Sequence, residues 1–355
     1  VAFLYGWKSF LVMDPGLTAA LAVGMASYAG YVFALPPLGV KAVAVGAIVT
    51  LAAVNILGVR LGAGLMRWLT ALKLGSLLII FLWALVFQLG DSSNFMPFVA
   101  QRAGSAPPLE ALAGAFVAAF FSFGGWWDVS KLAGEVRDPE RTLPRALVYG
   151  VIIVTLVYIL TSAVFIYLVP LERVTSGETF AAQAGEALFG RAGGQLFSSV
   201  VIVSVLGSLA GIIMAAPRVY YAMARDCLFL PAAAAIHPRF GTPARAIALQ
   251  AALASVLVML GSFNDIIAYF VFVTVVFIAL TVTALFVLRR RQHDNSTATT
   301  YRAPLYPVTP AIFLALVMLL LVMLAGNNPM QAFLGVAVVA LGVPVYYLLK
   351  EKSGV

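Results

Sequence analysis

Charged side chains are scarce in this sequence. Asp, Glu, Lys and Arg make up 10% of its 355 residues, against 63% hydrophobic residues, and the mean hydropathy is +1.02. A water-soluble chain needs polar groups to cover its surface, so this composition excludes that class and points to a multi-pass membrane protein. Cysteine is almost absent: Cys227 stands alone, which excludes an intrachain disulfide and leaves no thiolate cluster for a metal. The two histidines, His237 and His293, fall in connecting stretches, so no paired-histidine metal site and no cofactor are expected. Acids are also few, and none forms an H-E-x-x-H-like arrangement, which argues against a membrane-embedded enzyme. The net charge of +8 resembles that of a nucleic-acid binder. In membrane proteins, however, basic residues mark cytoplasmic loops, and no nucleic-acid partner is expected.

What is abundant is long apolar runs. Roughly 20 apolar residues span the hydrocarbon core, and by that measure helices are expected near 2–33, 39–57, 65–89, 109–133, 144–169, 193–224, 244–262, 264–288, 308–326 and 329–349. The first is interrupted by Asp14-Pro15-Gly16, which predicts a kink. With the first helix starting in the cytoplasm, only Lys41, Arg102, Arg173 and Arg191 of the 22 basic residues fall on the outer side, and the C-terminus is cytoplasmic. Lys8 and Lys73 can be set aside as intramembrane without changing that orientation, whereas Lys131 is counted with the cytoplasmic charges. Val1 rather than Met stands first, and no signal-peptide pattern precedes the first apolar run. A piece of a longer chain is therefore expected. The polar run RRRQHDNSTATT reads as a solvated loop.

One span carries an irregularity. In FFSFGGWWDVSKLAGEVRDPERTLPRAL, from Phe120 to Leu147, Gly124 and Gly125 sit in the middle of an apolar run and Asp128 follows. Backbone that leaves the helix at membrane depth must line a cavity or lie buried in protein, because lipid offers no hydrogen bonds. Glycines give up helical order readily. The expectation is a half-helix over 109–122, a break at 123–126 and a second half from Trp127. The carbonyls ending the first half would then carry partial negative charge into the membrane centre, where an ammonium group is the natural partner. Close packing of another helix against the two glycines is the alternative. Asp128 could cap the second half-helix, form a structural salt bridge or touch a ligand.

These residues resemble the sixth transmembrane helix and following loop of amino acid permeases, the amino acid–polyamine–organocation superfamily, closest to its L-type amino acid transporter branch. Other stretches match in the family's order. AFLYGWKSFLVMDPG is similar to the third helix and VNILGVRLGAGLMRWLTALKL to the fourth-to-fifth connection. LGSLAGIIMAAPRVYYAMARDCLF resembles the eighth helix, IHPRFGTPARA the loop after it, and YRAPLYPVTPAIF the start of the eleventh. The resemblance implies an all-α, LeuT-like inverted-repeat fold whose first two helices have no counterpart here. Residues 1–90 would be the remainder of the first repeat, 108–288 the second repeat with its broken helix at 121–127, and 304–350 the C-terminal helix pair.

The resemblance also implies site residues. Phe121 matches an aromatic that closes over bound substrate, with Ser122 beside it. Phe123, Gly124, Gly125 and Trp126 match the unwound segment. Gly207, Ser208 and Gly211 match a small-residue face near the pocket, and Val12 and Met13 match pocket-lining positions. Val275 stands where many relatives place a tryptophan. Lys73 matches a fifth-helix lysine whose amine stands in for the sodium ion of sodium-coupled relatives. From the residues alone, a lysine reaching the cytoplasmic headgroups is the favoured reading of Lys73. The charges of EVRDPERTLPRAL (Glu135, Arg137, Asp138, Glu140, Arg141 and Arg145) read as a solvated cytoplasmic loop, or as ion pairs formed in one transport state.

The implied function is secondary transport of amino acids, neutral L-amino acids by the apolar pocket, across the cell membrane by symport or exchange. The partners would be the amino acid, the lipid bilayer and the proton as coupling ion. No G-x-x-x-x-G-K-[ST] sequence is present to hold ATP phosphates. A polyamine or organocation transporter of the same fold and a non-transporting membrane protein are the alternatives. A channel would need polar rings lining a pore, and Thr281 and Thr283 are the nearest approach to one.

Overall fold

The structure is a computed structural model in which residues 2–96, 107–131, 133–170, 180–261, 263–292, 305–327 and 329–353 are described. Among these residues it is helical throughout, without a strand. Helix α1 (Ala2–Lys8) runs through a π-helical turn, Ser9–Met13, into α2 (Asp14–Phe33), followed by α3 (Pro37–Leu57) and α4 (Val59–Val86). Next come α5 (Pro108–Ser122), α6 (Asp128–Lys131), α7 (Pro139–Leu168), α8 (Phe180–Ala215) and α9 (Pro217–Arg225). The rest is α10 (Ala244–Leu260), α11 (Phe263–Gln292), α12 (Val308–Asn327), α13 (Pro329–Ala340) and α14 (Gly342–Ser353).

Seven helical runs are long and apolar enough to cross a membrane: Phe3–Phe33, Pro37–Leu57, Leu61–Val86, Pro139–Leu168, Phe189–Arg225, Phe270–Arg290 and Val308–Gly326. They coincide with seven of the ten expected spans. The other three fall on shorter helices. The expected span at 109–133 is divided between α5 and α6, and 329–349 between α13 and α14, while 244–262 is α10. At 1.5 Å per residue, the 15 residues of α5 reach about 23 Å, short of a bilayer core of about 30 Å. The non-helical turn and α6 supply the remaining distance.

The kink expected at Asp14-Pro15-Gly16 takes a particular form. Pro15 has no N–H, and its ring collides with the carbonyl four residues back in a regular helix. The chain answers with the wider π turn just before it, in which the Asp14 N–H donates to the Ser9 carbonyl five residues back. The helix therefore continues through the proline instead of breaking. In α8, by contrast, Gly190 at φ 64° and ψ −160° is non-helical and separates the first turns from the membrane portion.

Helix α2 is the centre of the molecule. It packs against α3, α8, α10 and α11, and Ala19, Ala20, Ala22 and Ala26 are fully buried. Lipid tails are as apolar as side chains, so helices in a membrane associate through close van der Waals contact, which small residues permit. A polar ladder fixes the register against α10: Gln250 Nε2 donates to Thr18 Oγ1 at 3.1 Å, and Thr18 Oγ1 donates to the Asp14 carbonyl at 2.6 Å.

The closest approach between α2 and α11 is at Gly16, where an added Cβ would lie 2.9 Å from the Cβ of buried Phe270. Gly16→Val is therefore expected to destabilise by about 1–3 kcal/mol through overpacking. A lower midpoint of thermal unfolding in detergent would show it, and an unchanged midpoint would mean that the contact relaxes freely.

Candidate functional site

Helical structure ends at Ser122 and resumes at Asp128. The turn at 123–127 is one residue longer than the expected break, and the second half-helix starts at Asp128 rather than Trp127. Two hydrogen bonds bracket it: the Phe123 N–H donates to the Ala119 carbonyl at 3.0 Å, and the Asp128 N–H donates to the Gly125 carbonyl at 3.0 Å. Gly125 adopts φ +104°, a left-handed conformation that L side chains rarely tolerate. This position requires its glycine.

The break opens onto a cavity of about 970 Å³. Ser122, Phe123, Gly124, Gly125 and Trp126 all line it, and so do Lys73, Ser208 and Gly211 from the far side. Three site expectations, Gly207, Val12 and Met13, lie elsewhere, and a fourth is not placed. The Phe121 side chain is outside the described residues. Gly207 does not line the cavity but faces Leu69 of α4, 3.2 Å from the position a Cβ would take. Val12 and Met13 are 0% and 2% exposed and do not line the cavity. Val12 packs in the main core, and Met13 Sδ accepts from Lys8 Nζ at 2.9 Å. Val275 is buried in the same core and also stands off the cavity.

The lysine side of the cavity is built by small residues. Gly211 faces Met66 at 3.4 Å and Gly207 faces Leu69, so α4 and α8 run antiparallel in close contact. That approach lets Lys73 Nζ donate to Ser208 Oγ at 3.0 Å. Lys73 therefore points across to α8 rather than to the headgroups.

On the other side lies an ionic cluster. Lys131 Nζ is 2.6 Å from Asp14 Oδ1 and 2.7 Å from Asp128 Oδ1, with the three side chains 3%, 1% and 12% exposed. Tyr220 of α9 completes it by donating its hydroxyl to Asp14 Oδ2 at 2.7 Å. Among the described residues Asp128 Oδ2 has no hydrogen-bond partner, and it lies 3.8 Å from the position of an added Gly125 Cβ. Lys8, 1% exposed, sits nearby with its Nζ 4.4 Å from the Tyr5 ring centroid. Of the roles open to Asp128, the structure shows the salt bridge.

Lys131, counted with the charges of the cytoplasmic segments and nearby helix ends, has its side chain sealed in protein. The i, i+3 spacing of Asp128 and Lys131 puts them on one helix face, and Asp14 inside an apolar span called for a buried partner. That was the available signal. By contrast, Arg137 and Asp138 are exposed in the connection before α7, and Glu140, Arg141 and Arg145 are exposed on the first turns of α7 itself rather than in a loop. Thr281 and Thr283 donate to the Phe277 and Ala279 carbonyls, each four residues back, and so form no polar ring.

A polytopic helical bundle with a helix broken at membrane depth, beside a cavity bearing a half-buried lysine, has the architecture of a secondary transporter. The sequence model of the amino acid permease family matches residues 1–346, and the chain belongs to that family. It is 29% identical to the serine/threonine exchanger SteT of Bacillus subtilis (strain 168) over 99% of this chain and 79% of that protein. Its identity to the b(0,+)-type amino acid transporter 1 of Oryctolagus cuniculus is 30%, over 81% of this chain and 59% of that protein. With the cystine/glutamate transporter of Homo sapiens it is 27%, over 98% and 69% respectively. The chain thus spans less than two thirds of the second of these relatives.

Removing Lys131 takes away the cation paired with both buried carboxylates, Asp14 and Asp128. Lys131→Met is expected to destabilise by about 3–5 kcal/mol. Combining it with Asp14→Asn and Asp128→Asn should recover most of that loss, as read by thermal unfolding in detergent. A single variant as stable as the parent would show that the cluster contributes nothing.

Proposed function

We propose that the chain carries neutral L-amino acids across the cell membrane by symport or exchange, with the substrate ammonium group at the carbonyl end of α5. The observation that carries this reading is the break at 123–127 on the wall of the cavity. A helix C-terminus carries about half a negative charge from its unpaired carbonyls, and here the last residue of α5 lines the space a ligand would fill. Ser208 and Gly211 form the facing wall, and their small side chains leave room for the rest of the substrate.

Charge supports a neutral substrate side chain. Among the described residues, the only charged ones lining the cavity are Lys73 and Asp128, and Asp128 is engaged through Oδ1 by Lys131. A basic or polyamine substrate would want unengaged carboxylates, and an acidic one more than a single lysine. Exchange agrees with the name of the Bacillus subtilis relative, and the absence of a phosphate-binding motif agrees with gradient-driven coupling. Lys73 is assigned the coupling role: its ammonium, held between α4 and α8 by Ser208, occupies the position of a bound cation, and the proton is the coupling ion. The excess of basic residues at one set of helix ends supports a cytoplasmic C-terminus.

Uptake of labelled L-serine, L-alanine and L-leucine into proteoliposomes is expected to be saturable, while L-lysine, L-glutamate and spermidine are not carried. Saturable spermidine or L-lysine uptake without neutral amino acids would overturn the assignment. Lys73→Ala should reduce initial rates on the order of tenfold or more, given the value of a charged hydrogen bond, with the fold retained by size-exclusion chromatography and no rescue by sodium. Parental rates and pH dependence in that variant would reduce Lys73 to a structural residue.

A further inference from the structure

A helix end leaves up to four backbone carbonyls without partners inside the helix. At the end of α5 two of them are claimed. The Ala119 carbonyl accepts from the Phe123 N–H. The Ser122 carbonyl accepts from the Tyr158 hydroxyl at 2.6 Å, a short bond for an O–H donor. Tyr158 stands on α7, and its ring meets Phe123 edge-on at 5.1 Å between centroids and 76° between planes. One side chain therefore holds both residues of the first peptide beyond the helix, its hydroxyl on Ser122 and its ring on Phe123.

This bond differs from the others around the break. The Lys131 cluster is sealed, whereas Tyr158 is 38% exposed and lines the cavity. A hydroxyl in that position does not need this carbonyl to avoid being buried unpaired. The bond's consequence is instead geometric. The Ser122–Phe123 peptide is held on its N–H side by the Ala119 carbonyl, but no following helical turn holds its C=O side, and the Tyr158 hydroxyl takes that place; without it the carbonyl can tilt. Tilting would swing the carbonyl dipole away from the space in front of α5.

We propose that Tyr158 is a positioning residue for the substrate amine, fixing the Ser122–Phe123 peptide so that the carbonyl end of α5 is set before the ligand arrives. The inference rests on the reading that α5 receives the ammonium group. Its physical basis is preorganisation: a dipole already ordered in the free protein does not have to be ordered on binding. The effect falls on affinity rather than on the later steps of transport, because the tether acts on the peptide that meets the ligand. Tyr158 itself does not have to touch the substrate.

The test compares Tyr158→Phe with Tyr158→Leu in the purified protein, using labelled L-serine in liposomes and hydrogen exchange at the amides of 123–127. Tyr158→Phe keeps the ring against Phe123 and loses only the hydroxyl. It is expected to raise KM for L-serine about tenfold, equivalent to about 1.4 kcal/mol, with kcat within about twofold. Exchange at 123–127 should be faster, and Tyr158→Leu should add a further loss from the missing ring. Parental KM in Tyr158→Phe with a defect only in Tyr158→Leu would show that the ring packs and the hydroxyl positions nothing. If the parent protein carries no neutral amino acid, the functional reading fails on its own. Hydrogen exchange still decides the tether then, and unchanged protection at 123–127 in Tyr158→Phe would overturn it.

Discussion

The Lys131 ammonium between Asp14 and Asp128 is the contact on which the rest of the site depends. An unpaired charge in a membrane interior is so unfavourable that its position becomes a strict constraint. Lys131 and Asp128 belong to a four-residue helix that could not persist alone, since nucleating a helical turn is itself unfavourable. Asp14 belongs to α2, the most enclosed helix of the molecule. The ion pair therefore transfers the rigidity of the core to the far end of the break. The Tyr220 hydroxyl on Asp14 Oδ2 adds α9 to the same node. With α5 ending at Ser122 and α6 anchored, the five residues between have little choice but to cross the gap as a turn.

The second constraint is steric and acts on the facing wall. Lys73 reaches Ser208 because Gly207 lets α4 settle against α8. A side chain at Gly207 would press on Leu69 and push α4 away from α8, whereas a Cβ at Gly211 would meet the end of the Met66 side chain at ordinary contact distance. Gly207 thus contributes to the site without lining it. A residue can be essential to where an ammonium sits while being invisible from the cavity, and a matching-position argument based on the family pattern does not separate the two roles.

Much of this was legible from the residues. The break was visible because the bilayer forbids unpaired backbone, so paired glycines next to an acid in an apolar run have few explanations. The places of the seven long spans followed from the same rule, while three of the ten expected spans proved to be shorter helices. What was not legible depended on rotation about a helix axis. Val12 and Met13 lie inside the π turn, whose extra residue shifts the phase of the side chains, so a position matched by ordinary helical spacing need not face the same way. Phe121 falls at a side chain outside the described residues. The pairing of Lys131 was not read because the positive-inside rule counts lysines by their place along the chain and says nothing of what each side chain touches.

The two ends of the break are held by unlike means, and the difference follows from their surroundings. The α6 end is tied by an ion pair in a dry setting, where the attraction is strong and separating the charges would strand them. The α5 end is tied to its neighbour α7 by a neutral hydrogen bond at the cavity wall, from the Tyr158 hydroxyl to the Ser122 carbonyl, and a bond of that kind contributes about 1 kcal/mol net. A segment strung between a firm anchor and a soft one yields at the soft side. Any adjustment of the unwound backbone to a ligand is thus directed to Ser122 and Phe123, beside the helix dipole that attracts the amine, while Asp128 and Lys131 hold the inner half in place. Adaptability and charge complementarity meet at one peptide unit because the sequence puts its buried charges on the other side of the glycines.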